Sequence, residues 1–206
     1  ATCSIARLVA YAAEAPAEWR AARAFPDAAH SLLASFKIWN TATVGGNIAQ
    51  SFAAAAMVSL AAGLDGTALV WTPDGGERRV PVAEIPADDG RSTLRPGEVL
   101  RAIDLPSHAL SAPFALERIA LAEWGRAAAV VTGRLDEDGS AVFTVTAATT
   151  TPVVLRFTSA PSPVDLSAAV RGASGWYGDP LGSADWRRAM SVVLAHRALA
   201  KLERAA

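Results

Sequence analysis

The sequence predicts an α+β fold, and three observations carry the prediction. The opening part is rich in alanine, a strong helix former, with apolar residues at helical spacing. The middle is a series of short β-prone runs broken by Pro-Asp-Gly-Gly and Asp-Gly turns. The end is one long amphipathic segment. Helices, then strands, then a terminal helix is a different order from the βαβ alternation of a parallel sheet.

Each element has a local reason. Ser4 is placed to cap a first helix, with Ile5, Leu8, Val9 and Ala12 on one face and Pro16 ending it. A second helix is expected over 17–23, with Glu18 in its first turn, and Pro26 opens a third through Leu32 and Leu33. The segment 36–40 leads into the pair Gly45-Gly46, read as a turn, and then into an apolar helix over 53–62. Beyond Asp65-Gly66, strands are expected over 67–72, 78–82, 99–105, 114–121, 127–135, 141–147 and 153–157. Pro73-Asp74-Gly75-Gly76 and Asp136-Glu137-Asp138-Gly139 are turns, and 87–96 reads as a polar loop. A short helix over 165–171 precedes the last one, over 183–202, which Ser183 caps. Trp186, Met190, Val193, Leu194 and Arg197 recur there at helical spacing, as in a docking helix. Its Arg187 and Arg188 are candidates for contact with a partner subunit.

Composition narrows the function classes. The chain is 206 residues long, 51% hydrophobic and 19% charged, enough for a substantial core in one large or two small domains. A net charge of −1 leaves no electrostatic footprint for nucleic acid or an anionic membrane. The single Cys3 excludes an internal disulfide and any cysteine-ligated cluster built by this chain alone. No secretory signal and no long uncharged apolar run is visible, so a cytoplasmic setting without a membrane span is expected. The sequence opens on Ala1 rather than Met, which leaves a processed chain or a missing upstream part as the alternatives.

Most chemical motifs are absent. His30, His108 and His196 are far apart and have no metal-ligand spacing. No GxSxG elbow and no phosphate loop of the GxxxxGK[ST] type occurs. Asp88-Asp89 and Asp136 to Asp138 sit in turn-like segments and read as solvated loops. The six tryptophans, Trp19, Trp39, Trp71, Trp124, Trp176 and Trp186, are scattered and read mostly as core or interface residues. Trp39 stands apart because it lies four residues before Thr43.

One stretch organises the rest: Thr41-Ala42-Thr43-Val44-Gly45-Gly46-Asn47-Ile48-Ala49-Gln50. Two adjacent glycines permit positive φ and close approach to the main chain. Successive N–H groups in such a turn form a concave anion site, and a following helix would point its positive end at it. By itself the pair is more readily read as an ordinary tight turn.

In context, residues 43–48 resemble the TxGGN motif of the FAD-binding medium subunits of molybdenum hydroxylases, the flavoprotein subunits of xanthine dehydrogenase and carbon monoxide dehydrogenase type. Two further elements appear in the family's order. Pro96-Gly97-Glu98-Val99-Leu100 resembles its PGE-plus-strand element. Gly182-Ser183-Ala184-Asp185-Trp186-Arg187-Arg188 through Arg197-Ala198-Leu199 is similar to its SAxYRR…RAL helix, with Trp186 in the aromatic place.

The resemblance implies a fold and a role. The fold is an FAD-binding domain of the vanillyl-alcohol-oxidase/PCMH type over 1–138, followed by a small C-terminal α+β domain over 139–206 with a three-stranded antiparallel sheet. The role is electron transfer through FAD to an external acceptor. Electrons would arrive from 2Fe-2S clusters on a small subunit and, before them, from molybdopterin on a large subunit, in a higher-order hetero-oligomer. By similarity, main-chain groups of Thr43, Val44, Gly45, Gly46 and Asn47 meet the diphosphate, and Asn47 and Ile48 lie near the flavin. Trp39 and Arg118 are the outlying candidates; Arg118 matches a basic residue near the isoalloxazine or is an ordinary strand arginine. No metal site and no catalytic side chain is expected on this chain.

Two departures from the family pattern matter. The earlier AGG(T/H)xL phosphate loop has no counterpart, so a further FAD-binding segment is expected elsewhere. The run Ser51-Phe52-Ala53-Ala54-Ala55-Ala56-Met57 lacks the acidic residue that many relatives use near the ribose. These departures motivate an alternative, a non-catalytic assembly or scaffold subunit that keeps the fold and has lost flavin.

Overall fold

The computed structural model describes residues 1–123 and 125–205; Trp124 lies outside the described residues. The first part is helical. α1 (Ile5–Glu14) starts at Ser4, whose hydroxyl accepts from the Arg7 N–H as the sequence predicts. Instead of a helix over 17–23, Arg20–Ala24 forms a 3-10 turn, followed directly by α2 (Phe25–His30) with Pro26 in its first turn. α3 (Phe36–Thr41) and α4 (Val44–Gln50) are short and joined by Ala42 and Thr43. α5 (Ala56–Gly63) is buried at every position, because Ala, Met, Val, Leu and Gly offer no polar face and the one polar residue, Ser59, has its hydroxyl bonded to the Ala55 carbonyl and Thr146.

The strands form antiparallel sheets. β1 (Thr67–Trp71) lies between β2 (Glu77–Pro81) and β5 (Val99–Asp104). The expected turn closes the β1–β2 hairpin, with Gly75 at φ 84°. The segment read as a polar loop folds into a small hairpin of β3 (Pro86–Asp88) and β4 (Arg91–Ser92). A short α6 (Ser107–Ser111) precedes the larger sheet, in the order β6 (Phe114–Ile119), β7 (Ala129–Leu135), β8 (Ala141–Thr146) and β9 (Val153–Phe157). It has four strands where three were expected, because β6 and β7 pair continuously with the later two. The division expected at 138/139 therefore falls inside the β7–β8 hairpin, whose pairing runs from Val130↔Thr146 to Leu135↔Ala141.

Both faces of this sheet are covered, which accounts for the unbroken burial of β8 and nearly all of β7. α5 packs on one face, where the Ser59 and Thr146 hydroxyls meet at 2.6 Å. α7 (Pro163–Arg171) packs against α8 (Ala184–Ala205), and α8 packs on β6 and β7. Two apolar cores result. One joins α1, α2, α4, α5, β1 and the inner side of β6–β7; the other joins β6–β9 to α7 and α8. Trp39 and Trp19 pack against the first and Trp176 against the second, while Trp71 is exposed and Arg101 stacks on it at 5.0 Å.

The Pro-Gly-Glu element has a structural explanation. Gly97 takes φ 82°, turning Glu98 back so that its carboxylate accepts from the Arg95 N–H and, bidentately, from Arg78 at 2.7 and 2.9 Å. The Arg78 guanidinium, then the Arg95 amide, push the Glu98 carboxyl down from the usual 4.5 to about 2. A depressed carboxylate stabilises the fold fully above its unfolded value and loses that contribution as pH falls toward its folded one. Thermal melts between pH 5 and pH 2 are therefore expected to show a steeper fall in Tm for the natural protein than for Glu98→Gln; parallel curves would contradict this.

Among the described residues, no helix is long and apolar enough to cross a membrane, and no cluster of His, Cys, Asp or Glu has metal-binding geometry.

Candidate cofactor site

The glycine pair does not form a free-standing turn. Thr43 is the N-cap of α4, with extended backbone (φ −111°, ψ 155°), and its hydroxyl accepts from the Gly46 N–H at 3.0 Å. Gly45 and Gly46 thus occupy the first turn of the helix, and neither has positive φ. Their lack of side chains answers to contact. A Cβ on Gly45 would stand 2.4 Å from the Ala1 Cβ, and one on Gly46 would stand 2.8 Å from the Thr43 hydroxyl.

The main-chain donors of this turn have partners within the chain. Val44 N–H donates to the Cys3 carbonyl and Gly45 N–H to the Ala1 carbonyl, both at 2.9 Å. Gly46 N–H is held by Thr43, and Asn47 N–H makes the first helical bond, to the Thr43 carbonyl. What remains outward is carried by side chains. The Asn47 Oδ1 accepts from the Met57 N–H at 2.9 Å, which fixes the amide orientation, since only oxygen can accept there. Its Nδ2 group and the Thr43 O–H proton make no hydrogen bond among the described residues. Thr43, Gly46 and Asn47 share one helical face, with Gly46 exposed between the other two. Two hydrogen-bond donors flanking a bare stretch of backbone fit an anionic diphosphate.

Ile48 points the other way. It is fully buried in the first core, so its side chain supports α4 from beneath. Trp39 lies on α3, its ring edge-on to His30 at 4.9 Å. Its indole Nε1 is buried and has no partner among the described residues. Beside it opens a groove of about 490 Å³ lined by Leu33, Phe36 and His30, with Leu33 69% and Phe36 70% exposed. The apolar wall of this groove fits the face of a planar ring system. Arg118, on β6, donates to the Glu123 carbonyl at 2.9 Å and lines a second cavity with Asp27, His30 and Lys201. His30 borders both cavities and so brings Trp39 and Arg118 to one side. No hydrogen bond or ring contact joins Arg118 to residues 43–48 among the described residues.

The structure adds residues that sequence reasoning passed over. Ser51 ends α4 in the left-handed conformation at φ 55°, and its carbonyl accepts from the Gly90 N–H at 2.9 Å. Asp89, read as a solvated loop residue, accepts from the Ala53 N–H at 2.8 Å. The β3–β4 hairpin thereby clamps the loop 51–55, with Phe52 half-exposed over Gly90. Asp89-Gly90 is legible as a turn, but nothing local marks a partner 36 residues away.

The comparisons with known proteins bear on the fold and the family. A chain of the reconstituted CO dehydrogenase from Oligotropha carboxidovorans superposes with a TM-score of 0.83 at 22% identity, over 98% of this chain and 73% of that one. A chain of the CO dehydrogenase from Hydrogenophaga pseudoflava gives 0.78 at 20% identity, over 98% and 72%. A chain of quinoline 2-oxidoreductase from Pseudomonas putida 86 gives 0.74 at 19% identity, over 89% and 67%. At these identities the likeness concerns the fold. A search of curated protein sequences returns no match. The family model described as the FAD binding domain in molybdopterin dehydrogenase matches residues 2–108, more than half of the chain and the whole of α4. The chain belongs to this family of FAD-binding oxidoreductase domains.

Proposed function

We propose that the chain is the FAD-binding electron-transfer subunit of a molybdenum hydroxylase-type complex. It would work in the cytoplasm beside a large molybdopterin subunit and a small 2Fe-2S subunit. When bound, FAD supplies reversible electron uptake between those clusters and an external acceptor. The observation that carries the reading is the outward pair of donors, Thr43 O–H and Asn47 Nδ2, on either side of the exposed Gly46.

Each candidate residue has a definite part in this reading. Thr43 and Asn47 donate to the diphosphate, and Gly46 allows it to approach the backbone. Val44 and Gly45 hold the start of α4 against residues 1–3. Ile48 anchors the helix in the core. Leu33, Phe36 and Trp39 offer a surface for one of the ring systems, and Arg118 supplies positive charge at its margin. With the amides of residues 44–46 already engaged, the remaining phosphate contacts come from a further segment outside α4. We also draw the domain boundary ahead of β6, after the family match ends at residue 108, so that β6–β9, α7 and α8 stay together.

The same engaged amides, with the absence of an acidic side chain from 51–57, favour the second reading, a scaffold subunit without flavin. The absorption spectrum of the purified complex separates the two. Flavin bands in an intact complex are expected; an intact complex without them would establish the scaffold role.

A further inference from the structure

We infer that Arg187, on α8, is a positioning residue for the cofactor segment, acting through Ala147 on the loop that follows α4. The inference rests on the reading of α4 as a flavin-binding element. Sequence reasoning offered Arg187 to a partner subunit, but its side chain is fully buried, and only Arg188, stacked over Trp176 at 5.8 Å, is partly exposed.

A buried guanidinium must have its donors satisfied and its charge balanced. Arg187 Nη1 donates to two carbonyls from separate places: Ala128, just before β7, at 2.9 Å, and Ala147, just after β8, at 2.5 Å. Nε donates to the Gly182 carbonyl at 3.2 Å, and Nη2 pairs with Asp179 at 2.5 Å. The group lies 4.2 Å from the centre of the Tyr177 ring, and Asp179 is shared with Arg126. Every contact fixes the position of the fork.

Ala147 is the link to the loop. It is a non-glycine residue in the left-handed region, at φ 61°, a conformation that persists only where its surroundings enforce it. Its carbonyl is held by Arg187, and its N–H donates to the Ala53 carbonyl at 3.0 Å. Ala53 is also the residue whose N–H is capped by Asp89. The loop is therefore gripped on one side by the β3–β4 hairpin and on the other by α8 through one alanine. Met57, whose N–H orients the Asn47 amide, follows that loop in the first turn of α5. A shift of Ala147 is passed to Ala53, and from there to the start of α5 and the Asn47 side chain.

The test compares the natural full-length chain with Arg187→Lys and Arg187→Met, each with and without FAD. Lysine keeps the charge but, as a compact ammonium, cannot span two carbonyls and a carboxylate in the same fork. Amide hydrogen exchange should quicken on the order of tenfold at 51–57 and at Ala147 in Arg187→Met, while α7 and β9 stay protected, with Arg187→Lys between. The FAD dissociation constant should rise by a comparable factor, and the flavin circular dichroism should change. Unchanged exchange at 51–57 in a folded variant would overturn the inference, as would faster exchange with unaltered flavin binding. If Arg187→Met does not fold, Asp179→Asn loosens the same fork and carries the same expectations. A purified complex of the natural chain that takes up no flavin would refute the reading of α4 alone. The exchange measurement would still decide whether Arg187 holds the loop.

Discussion

Replacing Arg134 with methionine is expected to destabilise the protein by about 3–5 kcal/mol, the cost of removing one partner from a buried ionic cluster. Arg134 is 1% exposed near the end of β7, an inner strand of the larger sheet. Its guanidinium donates to Asp136 at 2.7 and 2.8 Å, to Asp65 at 2.5 Å and to the Gly63 carbonyl at 3.1 Å. It thereby ties the end of α5 to the β7–β8 hairpin. Burial alone would raise the Asp65 carboxyl, but hydrogen bonds from Arg156 and Arg134 outweigh it and hold the group below its ordinary value. Methionine fills similar volume but leaves the partly buried Asp136 carboxylate, 14% exposed, without its ion-pair partner. Asp65 keeps Arg156, whose side chain is largely exposed. The loss should therefore be read as uncompensated charge rather than as a cavity. Adding Asp136→Asn to Arg134→Met should recover part of it in urea denaturation. A single-variant loss under about 1 kcal/mol, the range of an exposed ion pair, would show that the cluster is solvated.

The second large effect is on ligand binding. Removing both outward donors of α4, as Thr43→Val with Asn47→Ala, should weaken FAD by about 3 kcal/mol, roughly a hundredfold in Kd, because hydrogen bonds to a charged group are the strong ones. Each change also has a structural cost that must be separated from the effect on binding. Valine at 43 removes the cap on Gly46 N–H, which costs about 1 kcal/mol of helix stability. Alanine at 47 leaves the Met57 N–H without its acceptor. Thr43→Ser restores both the cap and the outward proton and should bind like the natural chain. Stability measured on the same samples shows whether affinity has fallen further than folding accounts for.

Much of the fold was legible because its signals are local. The Ser4 cap, the Pro73–Gly76 and Asp136–Gly139 turns and the terminal helix depend on neighbouring residues alone. The glycine pair was misread as a turn for the same reason. Its local chemistry permits positive φ, but Thr43 caps it and the carbonyls of Ala1 and Cys3 receive its amides, so it enters a helix. The buried arginines were not legible. Arg134 and Arg187 are indistinguishable in sequence from exposed ones until segments 69 and 59 positions away bring their acceptors. The strand count of the larger sheet depended likewise on pairing across a turn that had been taken as a domain boundary. At the site, the motif residues form the N-cap and first turn of α4. Which of its atoms face outward followed only from the hydrogen bonds the rest of the chain had already claimed.

The most direct measurement is a calorimetric titration of FAD into the purified complex after its flavin has been removed. It should be run in parallel for the natural chain, Thr43→Ser and the Thr43→Val, Asn47→Ala double variant. If α4 holds the diphosphate by these two side chains, the first two should bind with similar affinity and the double variant about a hundredfold more weakly with its fold intact. Equal affinity in all three would contradict the assignment and place the diphosphate elsewhere.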